Sequence, residues 1–139
     1  LLGMETLGLR MERACDNAKK LAEFLNTYPD VTVNYPGLSD SLWHVQAEKV
    51  LQNGYGAILT IRVGSKERAF DLINTLTIPK IVSNIGDTKT LIIHPESTLN
   101  AHSTQKEKEE AGVFDDLIRI SVGIEDVEDL IEDFEHALK

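Results

Sequence analysis

The chain has little of several features that define whole classes of protein. Cys15 is the single cysteine among 139 residues, so an internal disulfide cannot form and a reducing, cytoplasmic setting is expected. Lys and Arg total 14 against 23 Asp and Glu, which gives a formal net charge of -9, and the basic residues form no cluster. We therefore expect neither a nucleic-acid partner nor binding to an anionic membrane surface.

Other absences concern membrane spans and catalytic motifs. No apolar run approaches the roughly 20 residues of a spanning helix, and no signal peptide is recognisable. The four histidines are scattered without metal-ligand spacing, so no metal site is expected. Glycine-rich dinucleotide loops, phosphate-binding loops and the hydrolase nucleophile elbow are also missing. The residues alone indicate a globular domain without a self-contained catalytic motif.

Periodic apolar residues predict alternating helices and strands within one domain. Steps of three and four predict helices over 4–25, about 39–52, 65–76 and 124–138. Segments rich in β-branched residues predict strands over 31–35, 55–63, 78–82, 90–94 and 117–122. This order predicts an α/β (α+β) fold, in which a small sheet has its helices packed mainly on one face.

An arginine interrupts the last predicted strand. Ile118, Ile120 and Val122 share one face of that strand, whereas Arg119 lies on the other face with Ser121. Because a guanidinium keeps its charge and is costly to bury alone, its fork of donors is suited to a carboxylate. The alternatives are an internal ion pair with one of the acidic residues and a simple exposed arginine.

Two polar loops are further candidates for a binding site. The segment 83–90 (SNIGDTKT) joins two predicted strands, and its Gly-Asp pair permits a turn with free backbone N–H groups that suits an anion. A plain hairpin-like turn is the alternative there. In the segment 94–98 (HPEST), Pro95 forces His94 into an extended conformation, and the hydroxyl groups are equally compatible with holding a loop.

Four segments of the chain resemble one known family. The C-terminal segment 118–138 (IRISVGIEDVEDLIEDFEHAL) is similar to R-L-S-V-G-x-E-x-x-x-D-L-x-x-D-x-x-x-A-L, the C-terminal signature of the Cys/Met-metabolism family of pyridoxal-phosphate (PLP) enzymes. Three further segments resemble the family's G-L-E-T-L-x-L-R-M-x-R, V-x-Y-P-G-L and H-P-A-S motifs: 3–25 (GMETLGLRMERACDNAKKLAEFL), 33–38 (VNYPGL) and 94–98. The resemblance covers essentially the whole chain, in the family's order.

The resemblance implies a fold and a domain organisation. Residues 1–139 are expected to be the C-terminal small domain of a fold-type I PLP enzyme, with a small, mostly antiparallel sheet and helices on one face. An upstream large domain, absent from these residues, is implied to bind most of the PLP and to carry the Schiff-base lysine. The chain begins with Leu1 rather than methionine, and we expect a piece of a longer polypeptide that is inactive alone. The large domain of the same chain and a homo-oligomer are the implied partners.

The resemblance also implies the site residues and the reaction. Arg119 is expected to bind the α-carboxylate of an amino-acid substrate beside Ser83 and Asn84, and Lys89 and Thr98 are further candidates from the two loops. The loop SNIGDTKTL is similar to the N-V-G-D-x-K-[ST]-L form of O-acetylhomoserine sulfhydrylases, whereas cystathionine synthases and γ-lyases read S-L-G-G-x-E-S-L. The implied reaction replaces the acetyl group of O-acetyl-L-homoserine with sulfide or a thiol, giving homocysteine or methionine.

Several alternatives to that reaction stay open. A methionine or cystathionine γ-lyase and a cystathionine γ-synthase belong to the same family. A stand-alone regulatory module that binds an amino acid through Arg119 and a purely structural domain are alternatives outside it. The chain also departs from the family's H-P-A-S-T-T-H-S, because Glu96, Leu99 and Asn100 replace Ala, Thr and His. The hydrogen bonds of that Thr and His therefore do not carry over, and we expect the difference to affect substrate choice.

Overall fold

A computed structural model describes residues 1–139, which form six helices and five strands. The helices are α1 (Leu2–Glu5), α2 (Leu7–Leu25), α3 (His44–Val50), α4 (Lys66–Thr75), α5 (Gln105–Glu110) and α6 (Val127–Leu138). The strands are β1 (Thr32–Asn34), β2 (Ile58–Arg62), β3 (Lys80–Ile81), β4 (Leu91–Ile93) and β5 (Leu117–Ser121). No helix is both long enough and apolar enough to cross a membrane.

The five strands form one sheet in the order β1-β2-β5-β4-β3, with β5 at its centre. All neighbouring strands are antiparallel except β3 and β4, which run parallel with Lys80 opposite Leu91. The predicted α/β (α+β) fold with a mostly antiparallel sheet is confirmed. The hairpin-like alternative for 83–90 is wrong, because a segment joining two parallel strands must cross back along the sheet.

Helices α2, α4 and α6 cover one face of the sheet and form the core with it. Alternation along β5 sends Ile118 and Ile120 into this core, where both are fully buried, and Leu59 and Ile61 of β2 join them. Burying side chains of this size stabilises the fold by about 1.5–3 kcal/mol each. The same alternation leaves Arg119 on the opposite face, as the sequence predicts.

Capping side chains fix where several helices begin. Ser65 caps α4 as predicted, its Oγ accepting a hydrogen bond from the Arg68 N–H at 3.2 Å. Asp126 caps α6 through the Glu128 N–H at 3.0 Å, so that helix begins three residues later than predicted. Thr104 forms a capping box with Glu107 at the start of α5, a short helix that the apolar pattern did not predict.

Two predicted helices differ from those observed. The long first helix is interrupted at Thr6, and its burial begins only at Ala14, because Met4, Leu7 and Met11 are exposed. The helix predicted from about residue 39 begins at His44 and has no side-chain cap. Its apolar residues are exposed as well: Leu42, Val45 and Val50.

The segment 33–38 packs through its tyrosine. The Tyr35 ring is fully buried and its hydroxyl donates to the carbonyl oxygen of Gly56 at 2.8 Å. Burial raises the pKa of this phenol. A Cβ at position 37 would overlap the Tyr35 ring and lie 2.9 Å from Cδ2 of Tyr55. Gly37 is therefore needed for this close approach.

Candidate functional site

Arg119 lies at the middle of the central strand on the face away from the three core helices. Thr60 of β2 and Ile93 of β4 flank it in register. Its Nη2 atom donates to the carbonyl oxygens of Ser83 and Asn84, at 2.6 and 3.3 Å. Its Nε and Nη1 atoms make no hydrogen bond within the chain, and no carboxylate lies within ion-pair distance. The internal salt bridge considered from the sequence is therefore wrong.

The loop that supplies these carbonyls runs from β3 to β4 and is exposed from Ile81 to Lys89. Its middle is tied to the sheet by the Gly86 N–H, which donates to Ser121 Oγ at 3.1 Å. Gly86 has a φ of +76°, a conformation that glycine adopts without strain. Near its end, the carbonyl oxygen of Thr88 accepts from the Ile124 N–H at 2.9 Å.

Asp87 stabilises the same loop from within. Its Oδ1 accepts from the Lys89 N–H at 3.1 Å and from the Thr88 hydroxyl at 3.2 Å. The backbone N–H of Lys89 is the main cause that lowers the pKa of this carboxyl. The backbone N–H groups of Gly86 and Lys89 therefore donate to Ser121 and Asp87 within the chain, and are not free to bind an anion as the sequence suggested.

The five sequence-predicted site residues fall into two groups. Ser83 and Asn84 contact Arg119, but through backbone carbonyl oxygens rather than side chains. Lys89 and Thr98 make no hydrogen bond to Arg119; the Lys89 N–H is used by Asp87, and the Thr98 hydroxyl donates to the His94 carbonyl oxygen at 2.7 Å. The structure therefore brings together three of the five.

A cavity of about 470 Å³ lies beside Arg119 on this face of the sheet. Leu99 and Asn100, two of the positions that depart from the family pattern, line it. The other lining residues come from strands β1, β2 and β5 and from the segment 95–114: Thr32, Asn34, Thr60, Arg62, Pro95, Ala111, Gly112, Val113, Phe114 and Leu117. The side chains of these residues are uncharged except for that of Arg62. Arg62 and Arg119 therefore supply the charged groups that line the cavity, and both are positive.

Arg62 is neutralised and Arg119 is not. The Arg62 Nε donates to the buried carboxylate of Asp116 at 2.8 Å, and its guanidinium carbon lies 3.9 Å above the Phe114 ring. Asp116 also accepts from the Gly64 N–H at 3.1 Å. Of the two arginines on this face, Arg119 is therefore the one whose charge has no anionic partner in the chain.

Glu96, the third departure from the family pattern, has an ion-pair role. Its two carboxylate oxygens accept from Lys108 of α5 at 2.5 Å and from Lys66 of α4 at 2.8 Å. The hydrogen bond from Lys108, followed by that from Lys66, lowers the pKa of Glu96 to about 2. Glu96 thereby fastens the segment that forms one wall of the cavity to two helices.

His94 is buried at the end of β4 and supports the same segment. Its Nε2 donates to the Asp115 carbonyl oxygen at 2.6 Å, and its Nδ1 accepts from the Ser97 hydroxyl at 2.8 Å. Because the Asp115 carbonyl oxygen can only accept, the hydrogen bond at Nε2 requires a proton on that nitrogen. The ring packs on Phe70 with centroids 4.8 Å apart. The role of His94 in this chain is to hold the loop.

A buried network that the sequence pattern did not reveal joins the end of β5 to α2. The Asn17 side chain donates to the carbonyl oxygens of Gly123 at 3.1 Å and Glu125 at 2.8 Å. The Thr90 hydroxyl accepts from the Gly123 N–H at 3.0 Å and donates to the Glu125 carboxylate at 2.9 Å. The network fixes the segment that immediately follows Arg119 and Ser121.

Comparisons with known proteins agree with one another. A model of the family "Cys/Met metabolism PLP-dependent enzyme" matches residues 1–139. A homocysteine synthase of Schizosaccharomyces pombe is 45% identical over 141 residues, which cover 100% of this chain and 33% of that protein. An L-methionine gamma-lyase of Fusobacterium nucleatum is 43% identical over 139 residues, covering 99% of this chain and 35% of that protein.

A solved structure has the same fold over almost the whole chain. A crystal structure described as an O-acetylhomoserine (thiol)-lyase from Campylobacter jejuni carries a pyridoxyl-lysine monophosphate group. It superimposes with a TM-score of 0.94 at 36% identity, over 99% of this chain and 33% of that one. The chain therefore spans about a third of the length of the relatives it matches, and the resemblance drawn from the four sequence segments is confirmed.

Proposed function

The chain belongs to the family of Cys/Met metabolism PLP-dependent enzymes, and from that premise we propose that residues 1–139 are the C-terminal domain of a PLP-dependent sulfhydrylase. The full polypeptide would replace the acetoxy group on the γ-carbon of O-acetyl-L-homoserine with sulfide or a thiol, releasing acetate and giving homocysteine or methionine. The observation that carries this proposal is Arg119, a half-buried arginine with no acidic partner that is held by two backbone carbonyls beside a cavity.

The proposed task of Arg119 is to bind the α-carboxylate of the amino-acid substrate. Its charge and its free Nε–H and Nη1–H groups match a carboxylate in sign and in hydrogen-bonding capacity. Because the carbonyls of Ser83 and Asn84 hold Nη2, the guanidinium is oriented before a substrate arrives. Fixing the carboxylate restricts how the bonds at the substrate's α-carbon are oriented, which is an entropic contribution to catalysis.

The cofactor itself does not fit the residues of this chain. None of the lysines lines the cavity beside Arg119, and Lys66 and Lys108 are bound to Glu96. We therefore place the lysine that holds PLP in the part of the polypeptide outside residues 1–139, and we expect the isolated chain to be inactive. When bound, PLP supplies an electron sink for carbanions formed on the substrate.

The rest of the polypeptide is the proposed partner of an exposed apolar surface. This surface includes Leu7 and Met11, which lie one turn apart on the same side of α2, and it borders a cavity of about 370 Å³ lined by Met11, Ile58 and Ile85. Contiguous apolar surface of this kind marks an interaction site.

A second set of exposed apolar residues lies around α3, and it supports the further proposal that the full protein is a homo-oligomer: Leu42, Trp43, Val45, Val50 and Leu51. A cytoplasmic location is proposed on the basis of the single, buried Cys15.

A γ-lyase is the second candidate function. The observation in its favour is the 43% identity to an L-methionine gamma-lyase. The sulfhydrylase is favoured by the loop residues Asn84 and Lys89, by the homocysteine synthase relative, and by the O-acetylhomoserine (thiol)-lyase structure.

Product analysis of the full-length polypeptide with PLP separates the two candidates. Incubation with O-acetyl-L-homoserine and sulfide is expected to release homocysteine and acetate. Incubation with L-methionine alone is expected to release little 2-oxobutanoate and methanethiol. A reversed preference would replace the sulfhydrylase with the γ-lyase. Absence of both activities in a PLP-loaded protein would contradict the proposed function.

A further inference from the structure

We propose that Ser121 is a positioning residue for the carboxylate site, acting through the loop that holds Arg119. This inference rests on the proposed function, because it concerns how Arg119 is kept ready for a substrate. Ser121 lies two residues after Arg119 on β5, so both side chains are on the face of the sheet away from the core helices. Ser121 is 2% exposed, and sequence reasoning gave it no role of its own.

Ser121 contacts the β3–β4 loop through its hydroxyl group. The Oγ atom of Ser121 accepts the hydrogen bond from the Gly86 N–H at 3.1 Å. No other hydrogen bond joins the exposed residues Ser83 to Asp87 to the sheet, apart from those that Arg119 itself makes with Ser83 and Asn84. The Ser121 hydroxyl is therefore an independent tether for this part of the loop.

The loop in turn holds the guanidinium group of Arg119. The carbonyl oxygens that bind Nη2 belong to Ser83 and Asn84, three and two residues before the tether at Gly86. A free loop would exchange conformations in which these carbonyls face water, and Arg119 would then adopt other rotamers. Because a carboxylate binds only the properly directed guanidinium, each such conformation lowers the fraction of protein that is competent to bind it.

Loss of the Ser121 hydrogen bond is expected to weaken carboxylate binding by a limited factor. A net contribution of the usual size for one hydrogen bond changes the ratio of tethered to free loop about three- to tenfold, which is the upper limit of its effect on the binding-competent fraction. Such a change lowers affinity for the carboxylate in the ground state and in the transition state alike. It therefore raises KM for the amino acid and leaves kcat nearly constant.

The experiment uses the full-length polypeptide loaded with PLP. Ser121→Ala is expected to raise KM for O-acetyl-L-homoserine by more than the measurement error and by up to about tenfold, with kcat and KM for sulfide unchanged within error. Ser121→Thr keeps the Oγ acceptor and is expected to restore most of the lost affinity. An unchanged KM for O-acetyl-L-homoserine in Ser121→Ala would overturn the proposal.

Ser65→Ala is the matched control for a general loss of stability. Ser65 Oγ also accepts a backbone N–H bond, from Arg68 at 3.2 Å, but it lies at the start of α4 and outside the Arg119 cavity. Ser65→Ala is expected to lower the unfolding temperature and to leave KM for O-acetyl-L-homoserine unchanged. If it raised KM as Ser121→Ala does, the effect of Ser121 would be merely structural and the proposal would fail.

A double-mutant cycle tests whether Ser121 acts through Arg119. In an Arg119→Ala background, Ser121→Ala is expected to change kcat/KM less than twofold, because the group that the loop holds is already gone. An equal loss in both backgrounds contradicts the positioning role. If Arg119→Ala alone leaves kcat/KM unchanged, the carboxylate site of the proposed function fails. If only Ser121→Ala is silent, the proposed function stands and this inference falls.

Discussion

The Nη2 atom of Arg119 lies 2.6 Å from the carbonyl oxygen of Ser83, a residue 36 positions earlier in the chain. This contact holds an arginine by a neutral backbone group and leaves its positive charge without an anionic partner. An arginine paired with an internal carboxylate would have little attraction left for a substrate. The loop thus orients Arg119 without neutralising it, as the proposed carboxylate-binding role requires.

Asn84 contacts Arg119 through its carbonyl oxygen, so its side chain is expected to be replaceable. In the full-length enzyme, Asn84→Ala should keep kcat/KM for O-acetyl-L-homoserine within about threefold, because the backbone acceptor remains. Steady-state kinetics checks this expectation. A loss as large as that of Arg119→Ala would show that the side-chain amide itself binds substrate.

Glu96 is expected to stabilise the chain in a pH-dependent way. Glu96→Gln removes the charge shared by Lys66 and Lys108 and should lower the free energy of unfolding by about 1–2 kcal/mol at pH 7. The folded-state pKa of Glu96 is lowered from 4.5 to about 2. Its stabilising contribution is therefore complete above about pH 4.5 and disappears as the pH falls towards 2.

Urea unfolding of the wild type and the Glu96→Gln variant at several pH values measures this difference. The gap between the two proteins should be constant from pH 7 to about pH 5 and should narrow below it. A gap that stays the same at pH 3 would mean that the carboxylate is not the stabilising species. Glu109→Gln, an exposed carboxylate in α5 without an ion pair, is the matched control and should change stability little.

Gly123 and Gly8 are expected to respond to alanine in opposite directions. A Cβ at position 123 would overlap the Thr88 carbonyl oxygen and lie 2.6 Å from the Lys89 carbonyl carbon, so Gly123→Ala should cost about 2–4 kcal/mol of stability. Gly8 is in α2 with nothing within 4 Å of its would-be Cβ. Gly8→Ala should stabilise the chain by about 0.5–1 kcal/mol.

Chemical unfolding of the two glycine variants under identical conditions is the measurement. Both substitutions add the same single methyl group, so unchanged or increased stability of Gly123→Ala would show that the close approach at Gly123 is not maintained in solution, whereas a loss in Gly8→Ala would contradict only the expectation for Gly8. Loss of stability at position 123 with a gain at position 8 would support the packing of the β3–β4 loop against the end of β5.

Local patterns were sufficient to predict most of the fold. Alternation in β5 correctly separates Ile118 and Ile120 from Arg119, and the Ser65 cap follows from a hydroxyl residue before an apolar helical pattern. The start of α3 was misplaced because its apolar residues resemble a core stripe, yet Leu42 and Val45 are exposed. Periodicity reports which residues share a face and does not report what covers that face.

The details of the site depend on contacts between residues that are distant in sequence. The Arg119 contacts to Ser83 and Asn84 are made by backbone atoms, which no side-chain pattern encodes. Glu96 meets Lys66 from 30 residues away, a pairing visible only once α4 and the segment after β4 are packed together. The parallel pairing of β3 and β4 was likewise hidden, because two short strands joined by a glycine-containing loop are typical of a hairpin.

The proposed role of Arg119 is tested most directly by the preference of the full-length polypeptide for a substrate with a free α-carboxylate. The measurement is the ratio of kcat/KM for O-acetyl-L-homoserine to kcat/KM for its α-methyl ester, in the wild type, Arg119→Lys and Arg119→Ala. We expect a ratio of about a hundred or more in the wild type, a severe loss of kcat/KM in Arg119→Lys because the fork is gone, and a ratio near one in Arg119→Ala. An unchanged ratio in Arg119→Ala would contradict the assignment of Arg119 as the carboxylate-binding residue.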